Sequence, residues 1–305
     1  MRVLLTGASG MVGRNILEHH SINEYTLLKP SSRELNLLDF SEVNDYLKIN
    51  KPEFIIHAAG LVGGIQANMA DPVGFLVKNL DMGRNLILGA KENNIYNLMN
   101  ISSSCMYPRN GINPLKEELI LTGQLEPTNE GYALAKIVST KLCEYISSTD
   151  SRFNYKTVIP CNLFGRYDKF SPQNSHMLPA VIRKIHEAKF NGNRSVSIWG
   201  NGKSRREFMY AGDIADFIWY AIKNFKNMPQ NVNVGLGYDY SIDDYYSIIA
   251  KVIGYDVDFE YDLTKPSGMK QKVVNISKLE AFGWTSQVSL EEGIKKTYEF
   301  FKSQN

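Results

Sequence analysis

The chain has 305 residues and a mass of 34.5 kDa, and 43% of its residues are hydrophobic, 22% charged and 11% aromatic. This composition can bury a core and argues against intrinsic disorder. Lys plus Arg is 34 and Asp plus Glu is 32, so the formal charge is only +2. That balance argues against a dedicated binder of nucleic acid or of an acidic membrane. The three cysteines form no disulfide framework, and with no signal-peptide layout they favour a cytoplasmic protein.

Strand-like and helix-like patterns alternate through the first half of the chain. Short apolar runs predict strands, and apolar residues at helical spacing predict helices. The predicted order is strand 2–6, helix 11–20, strand 25–28, helix 41–50, strand 54–59, helix 72–93, strand 97–102, helix 132–147 and strand 157–160. Strands buried on both faces that alternate with helices predict an α/β fold, a doubly wound parallel sheet of the Rossmann type.

The pattern becomes looser after residue 163. Helical spacing returns over 177–189 and 242–253, and an amphipathic helix over 290–301 closes the chain. We therefore predict a dinucleotide-binding domain over residues 1–162. A smaller α/β substrate-binding region follows over 163–305, with some chain crossing back to the first domain.

A glycine-rich loop lies between the first predicted strand and helix. Its sequence, Thr6-Gly-Ala-Ser-Gly-Met-Val-Gly13, contains Gly7, Gly10 and Gly13. Gly7 permits a tight turn, Gly10 lets the backbone approach a pyrophosphate, and Gly13 lets the helix pack close to the sheet. A pyrophosphate would then meet free N–H groups at a helix N-terminus. The loop therefore predicts a dinucleotide site.

The end of the second predicted strand indicates which dinucleotide is bound. An NAD site has an acidic residue there for the ribose 2′-hydroxyl. No carboxylate occurs before Glu34, whereas Ser31, Ser32 and Arg33 can hold a 2′-phosphate through hydroxyls and a guanidinium. We predict NADP(H). Asp39 is placed either to meet adenine or to cap the helix that follows.

Tyr132 and Lys136 are the candidate acid/base pair. Their spacing of four places both side chains on one helix face, where an ammonium favours tyrosinate. Four Tyr-x-x-x-Lys pairs occur in the chain, so the spacing alone is weak evidence. Only this pair lies between the fourth and fifth predicted strands, downstream of a run of serines.

These features resemble the extended short-chain dehydrogenase/reductases that modify nucleotide sugars, and several blocks resemble the GDP-L-fucose synthase family in particular. The blocks are Ala58-Ala-Gly-Leu-Val-Gly-Gly-Ile65, Ser103-Ser-Cys-Met-Tyr-Pro108, Leu125-Glu-Pro-Thr-Asn-Glu130, Tyr132-Ala-Leu-Ala-Lys136, Asn174-Ser-His-Met-Leu-Pro179 and Arg206-Glu-Phe208. The first loop departs from the family, which has Gly-His-Arg-Gly where this chain has Gly-Ala-Ser-Gly. The departure removes an arginine that would contact phosphate.

The resemblance implies an NADPH-dependent enzyme that inverts C3 and C5 of a GDP-4-keto-6-deoxy sugar and reduces C4. Cys105 and His176 match the family's epimerising acid/base pair. A thiol and an imidazole have reference pKa values of ~8.5 and ~6.5, so both exchange protons near neutrality. Tyr132 would protonate the alkoxide, Ser103 would polarise the carbonyl, and Lys136 would hold the nicotinamide ribose.

The resemblance also implies the remaining binding residues. Cofactor contacts are expected from Gly7, Ser9, Gly10, Met11, Val12, Ser31, Ser32, Arg33, Asp39, Ala58, Ala59, Leu61, Tyr132, Lys136, Asn162, Leu163 and His176. Substrate contacts are expected from Arg183, Lys184, Trp199, Arg206 and Lys272. We expect no metal, and we expect a homodimer.

Several other activities share this fold. A 4,6-dehydratase uses adjacent Asp and Glu after the serine, where this chain has Cys105 and Met106, and a 4-epimerase needs neither Cys105 nor His176. A non-enzymatic NADP-binding sensor would have no reason to combine these side chains with Tyr132 and Lys136. Two close alternatives stay open: a GDP-L-colitose synthase, which inverts only C5 of a 3-deoxy sugar, and a GDP-4-keto-6-deoxyheptose C4 reductase.

Overall fold

The computed structural model describes residues 1–172, 175–265 and 269–304. Asn174, the first residue of one of the matching blocks, lies outside the described residues. The elements of the first half are β1 Arg2–Thr6, α1 Met11–Glu18, β2 Thr26–Leu28, α2 Phe40–Asn50, β3 Phe54–His57, α3 Ile65–Ala70, α4 Pro72–Glu92, β4 Asn97–Ile101, α5 Glu130–Thr149 and β5 Asn154–Pro160. The strands and long helices expected from the first-half pattern all form.

The second half is richer in structure than its sequence pattern predicts. Its elements are β6 Asn162–Phe164, α6 Met177–Asn191, β7 Ser195–Trp199, β8 Arg205–Arg206, β9 Phe208–Tyr210, α7 Ala211–Lys223, β10 Asn231–Val234, β11 Tyr240–Ser241, α8 Ile242–Ile253, β12 Asp258–Asp262, β13 Gln271–Lys272, α9 Ser277–Phe282 and α10 Leu290–Gln304. None of the described helices is long and apolar enough to cross a membrane.

The main sheet has six strands in the order β10-β5-β4-β3-β1-β2, and every pair is parallel. Successive residues of β1 face opposite layers, as the period of two requires. Val3 and Leu5 belong to the core that contains Ile16 of α1 and Trp219 of α7. Leu4 belongs to the core formed with α2, α4 and α5. The sheet is therefore covered on both faces, which confirms the doubly wound α/β fold.

The sheet also takes part of its structure from beyond residue 162. Strand β10 pairs with β5, with Val232 beside Val158. Helix α7 packs on α1, where the Trp219 indole donates a hydrogen bond to the Ile16 carbonyl at 3.1 Å. The last third of the chain thus completes the first half's sheet and one of its helical layers.

A second core lies beside the carboxyl ends of the main strands. Helices α6, α8 and α10 pack together there through fully buried side chains such as Ile182, Ile249 and Ile294. Strands β7 and β12 pair alongside, from Ser195 to Trp199. In a parallel sheet, ligands bind outside the carboxyl ends of the strands. The second core therefore forms the opposite wall of the space where a ligand is expected.

Candidate active site

The loop between β1 and α1 passes very close to the end of β3. Gly7 has a φ of +72°, and a Cβ placed there would lie 2.6 Å from the carbonyl carbon of Ala58. A Cβ at Gly13 would lie 2.2 Å from the Gly7 oxygen. Both positions therefore exclude any side chain, which is the geometry that a dinucleotide loop needs.

The N-terminus of α1 fits a pyrophosphate. Gly10 precedes the helix with no side chain to cap it, and the first turn carries no acidic residue. The first N–H groups of a helix have no partner within it, and they favour an anion. Arg14 folds back over this loop, with its Nε 3.2 Å from the Ser9 carbonyl oxygen. Arg14 thus places a guanidinium at the loop that lacks the family's usual arginine.

The predicted 2′-phosphate residues form an exposed turn after β2. Ser31, Ser32 and Arg33 are all exposed, and the Ser31 N–H donates to the Glu34 carboxylate at 2.7 Å. That hydrogen bond lowers the pKa of Glu34. Asp39 caps α2, because its Oδ1 accepts from the Ser41 N–H at 2.8 Å and the Ser41 hydroxyl at 2.6 Å. Of the two roles predicted for Asp39, the structure shows that of the helix cap.

A cavity of about 660 Å³ opens between the carboxyl ends of the main strands and the second core. The size is typical of sites for small ligands and cofactors. Sixteen of the predicted site residues line it: Met11, Val12, Ala58, Ala59, Ser103, Cys105, Tyr132, Lys136, Asn162, Leu163, His176, Arg183, Lys184, Trp199, Arg206 and Lys272. The predicted residues of the β1–α1 loop and of the turn after β2 lie outside this lining, and so does Leu61, whose N–H donates to Asn79.

Tyr132 and Lys136 lie on α5 and share one face. The Lys136 ammonium is 5.8 Å from the centre of the Tyr132 ring and donates to the Ile101 carbonyl at 3.0 Å. Burial lowers the pKa of Lys136 to about 8. Burial and the nearby Cys105 raise the pKa of Tyr132, while a hydrogen bond with Ser103 opposes that rise.

The expectation that this site favours tyrosinate is therefore wrong for the protein without bound ligands. Loss of solvent around the Tyr132 phenol, followed by the charge of Cys105, raises its pKa by more than the hydrogen bond with Ser103 lowers it. At neutral pH the phenol keeps its proton. Tyr132 is thus set up as a proton donor rather than as a base.

Cys105 lies on a single helical turn, Ser104–Met106, directly after β4. Ser103 caps this turn by accepting from the Cys105 N–H at 3.2 Å. The Cys105 sulfur is half-buried, lies 3.1 Å from the Asn129 amide nitrogen and 3.7 Å from the Lys272 ammonium. The thiol therefore faces the cavity between two hydrogen-bond donors.

His176 lies just before α6, and its side chain makes no capping hydrogen bond to that helix. Its pKa is lowered by burial and then by the cationic Lys169 and Lys272. A lowered pKa leaves the neutral imidazole dominant near pH 7 and makes any imidazolium that forms a stronger proton donor. Cys105 and His176, far apart in sequence, line one cavity.

Cationic side chains line the outer part of the cavity. Arg183 forms a two-point ion pair with Glu187 at 2.9 and 2.8 Å, yet its buried Nε has no hydrogen-bond partner among the described residues. Lys184 donates to the Ser197 carbonyl and lies 5.7 Å from the Trp199 ring centre. This wall therefore combines positive charge with an aromatic ring.

Arg206 and Lys272 bring two further cations together on neighbouring strands. Strands β8 and β13 are parallel, and Lys272 lies directly beside Arg206 in their register. Burial lowers the pKa of Arg206, and Glu126 and Asp239 oppose that change. The pairing suits a diphosphate, which carries charge on both of its phosphates.

Sequence reasoning missed two residues that hold this site together. Asn129 lies in a block quoted for the resemblance, yet its contact with Cys105 depends on the turn before α5. Glu207 lies in the Arg-Glu-Phe block, and its buried carboxylate accepts from the N–H groups of Leu236, Gly237 and Val274. Its pKa is raised to about 7 by burial. An acidic residue within an otherwise buried strand pair is the signal that points to Glu207.

Comparisons with known proteins identify the family of this chain. The model of the NAD dependent epimerase/dehydratase family matches residues 3–235. A GDP-L-colitose synthase from Yersinia pseudotuberculosis is 58% identical over 304 residues, covering 100% of this chain and 99% of that protein. A GDP-L-fucose synthase from Azorhizobium caulinodans is 47% identical over 304 residues, covering 100% and 97%.

Among solved structures, a GDP-mannoheptose C4 reductase from Campylobacter jejuni with NADP bound superposes with a TM-score of 0.88. It is 31% identical and covers 99% of this chain and 98% of its own. The resemblance drawn from the glycine loop, Ser103 and the Tyr132/Lys136 pair is confirmed. The chain belongs to the NAD dependent epimerase/dehydratase family, among relatives that include GDP-L-colitose and GDP-L-fucose synthases.

Proposed function

We propose that this protein is an NADPH-dependent epimerase and reductase that acts on a GDP-4-keto-6-deoxy sugar. The observation that carries the proposal is a single cavity lined by two sets of groups. Ser103, Tyr132 and Lys136 form a reduction site, and Cys105 and His176 provide two more proton-transfer groups. A simple reductase has no use for the second set.

Two segments of the chain would hold NADP(H). The β1–α1 loop and the N-terminus of α1 would hold the pyrophosphate, and Ser31, Ser32 and Arg33 would hold the 2′-phosphate. Lys136 would hold the nicotinamide ribose. When bound, NADPH supplies the hydride that reduces the C4 ketone.

Epimerisation uses the acidity of the carbons beside that ketone. The Cys105 thiolate removes a proton from the ring carbon and becomes a thiol, which leaves an enolate of the sugar. The His176 imidazolium then donates a proton to the opposite face and becomes neutral. The configuration inverts and the sugar's charge is restored, with no change in oxidation state.

Reduction follows at C4. The Ser103 hydroxyl donates a hydrogen bond to the ketone oxygen and polarises it. Tyr132, whose phenol keeps its proton at neutral pH, gives that proton to the oxygen as the alkoxide forms. Lys136 lies below the ring and stabilises the tyrosinate that remains.

The outer cavity would hold the GDP part of the substrate. Arg183, Arg206 and Lys184 supply charge for the diphosphate, and the half-exposed Trp199 ring offers a stacking surface. The charge explains why a nucleotide-linked sugar, rather than a free one, is the expected substrate.

A GDP-L-colitose synthase is the second candidate function. The observation that favours it is the 58% identity over the full chain to such an enzyme, against 47% to a GDP-L-fucose synthase. The colitose reaction inverts only C5, and the same Cys105 and His176 would perform it. Heptose C4 reduction is the third possibility, since a reductase of that kind shares the fold.

One experiment separates these candidates. The purified protein is given NADPH with the GDP-4-keto-6-deoxy form of mannose, its 3-deoxy analogue or a heptose, and each product is assigned by NMR. The proposal expects NADPH consumption with C5 inverted, and C3 also inverted where a hydroxyl is present. NADPH consumption with no inversion at either carbon would mean that the protein is a plain C4 reductase. If NADPH is not consumed with any of the sugars, the proposed enzymatic activity is wrong.

The homodimer and the cytoplasmic location are part of the same proposal. Helices α4 and α5 pack side by side and expose Val73, Val77, Leu134, Val138 and Tyr145, which are 38 to 69% accessible. Burial of such a face against a second copy would remove it from water. The three cysteines are free thiols, which suits a reducing compartment.

A further inference from the structure

Two side chains that are far from Cys105 in the sequence lie within hydrogen-bonding distance of its sulfur. The Asn129 amide nitrogen, at the start of α5, lies 3.1 Å from the sulfur. The Lys272 ammonium, in β13, lies 3.7 Å from it. Both groups are donors, so both favour a sulfur that carries negative charge.

Lys272 is held in this place by the backbone around it. The N–H of Val273 donates to the Asn113 side chain at 2.9 Å, and the N–H of Val274 donates to the Glu207 carboxylate at 2.8 Å. The Lys272 side chain is only 8% accessible. Among the described residues, the Cys105 sulfur is the one acceptor within hydrogen-bonding reach of its ammonium.

The Asn129 side chain has one end of its amide paired and the other end unpaired within the described chain. Its amide nitrogen is used on the sulfur, while its Oδ1 is buried with no hydrogen-bond partner among the described residues. A buried amide oxygen without a partner is costly, so this orientation needs a gain elsewhere. The contact with the sulfur provides that gain when the sulfur is charged.

We propose that Lys272 and Asn129 are positioning residues that stabilise negative charge on the Cys105 sulfur where it faces the cavity. When the thiolate forms, the thiol proton leaves to solvent, and the ammonium and the amide replace the lost hydration of the sulfur. This inference rests on the proposed function only for what the thiolate then does, which is to remove a proton from the sugar. It changes the role expected for Lys272 from substrate contact to control of the thiol.

Other ionisable groups also face this thiol. Tyr132 on α5 lies close enough for its charge to interact with that of Cys105. His176 before α6, Glu126 in the turn before α5 and Arg206 on β8 line the same cavity. Lys272 places a cationic nitrogen 3.7 Å from the sulfur, and we assign the main effect to it.

The test is the alkylation of Cys105 by iodoacetamide as a function of pH, without substrate or cofactor. Cys143 and Cys161 are 0 and 5% accessible, and a Cys105→Ser variant measures any labelling of them. We expect Lys272→Met to slow alkylation about tenfold at neutral pH and to move the midpoint upwards by about one pH unit. Lys272→Arg should restore most of the rate.

The matched control is Lys270→Met, which removes the same charge from an exposed side chain two residues away. It should leave both the midpoint and the rate unchanged. Asn129→Ala should shift the midpoint in the same direction as Lys272→Met, by a smaller amount, and it tests the idea even if Lys272→Met fails to fold. Unchanged midpoints in the folded variants would overturn the proposal.

Deuterium exchange from D₂O into the sugar separates this idea from the proposed function. Suppose that Lys272→Met shifts the alkylation midpoint while Cys105→Ser still exchanges deuterium at the unmodified rate. Lys272 then stabilises the Cys105 thiolate as proposed, but Cys105 is not the epimerising base. Suppose instead that Cys105→Ser abolishes deuterium exchange while Lys272→Met leaves the alkylation midpoint unchanged. Cys105 is then the epimerising base, but Lys272 does not stabilise its thiolate.

Discussion

The Tyr132 phenol is the side chain on which reduction depends. Burial raises its pKa and keeps it protonated at neutral pH, and the Lys136 ammonium lies 5.8 Å from the centre of its ring. Tyr132→Phe removes only the hydroxyl. We expect NADPH oxidation to fall by about 10²–10⁴-fold, while the Kd for NADPH, measured by fluorescence titration, changes little. Turnover close to that of the unmodified enzyme would show that another group is the acid.

We predict that Arg33 decides the choice between NADPH and NADH. Its side chain is exposed after β2, and the carboxylate of the neighbouring Glu34 accepts a hydrogen bond from the Ser31 N–H. Arg33→Ala should lower kcat/KM for NADPH and leave that for NADH nearly unchanged. Arg194→Ala removes another exposed arginine and serves as the control. Equal kcat/KM for both cofactors in the unmodified enzyme would contradict this assignment.

The residue types of the site are predictable from sequence, and their environments are not. Tyr132/Lys136 stands out from three similar pairs because of its place between strands, and the structure puts it in the cavity. The protonation of Tyr132 is set by burial, which no spacing reveals. The Asn129 contact to Cys105 depends on a turn, and a sequence pattern does not give the direction of a side chain there.

At the scale of elements, α7 is the clearest failure of sequence patterns. Phe217, Ile218, Trp219 and Ala221 are all nearly or fully buried, so only a narrow stripe through Asp216 and Tyr220 stays partly exposed. Strand β10 is only four residues long. By contrast, α6, α8 and α10 each have a solvent face, and their periodic patterns predict them well.

The loop after β6 carries a second acid, Asp168, which has a buried carboxylate oxygen. Burial raises the pKa of Asp168 from an ordinary value of 3.8 to about 7, and its Oδ2 has no hydrogen-bond partner among the described residues. Between those two values the folded protein keeps a proton that the unfolded chain has lost. Asp168 therefore stabilises the fold at low pH, and this contribution is lost as pH rises towards 7.

An Asp168→Asn variant tests this directly, because the amide stays neutral at every pH. The free energy of unfolding, measured by urea denaturation, is compared at about pH 5 and about pH 8. The loss of stability between these two pH values should be smaller in the variant than in the unmodified protein, by roughly 1–3 kcal/mol. The exposed Asp256→Asn variant should behave like the unmodified protein. A difference of the opposite sign would mean that the Asp168 carboxylate is stabilised in the fold.

At the scale of the whole molecule, the exposed apolar face of α4 and α5 predicts a dimer. A double variant, Leu134→Glu with Val138→Glu, places two like charges on adjacent turns of that face. Sedimentation should show a dimer for the unmodified protein and a monomer for the variant, with unchanged circular dichroism. Phe190→Glu changes a more exposed apolar side chain on α6 and should leave the dimer intact. A monomeric unmodified protein would rule out this interface.

The central claim is that the cavity between the two cores carries out both epimerisation and reduction. Proton exchange without hydride transfer tests this claim most directly. The protein is incubated in D₂O with a GDP-4-keto-6-deoxy sugar and no NADPH, and the recovered sugar is analysed by NMR. We expect deuterium at C5, and at C3 where a hydroxyl is present, with the loss of this exchange in Cys105→Ser. His176→Asn should allow exchange but block inversion. If Cys105→Ser and His176→Asn both give the normal product at the normal rate once NADPH is added, these two residues are not the epimerising pair. If the unmodified protein incorporates no deuterium and inverts neither carbon, it is a plain C4 reductase.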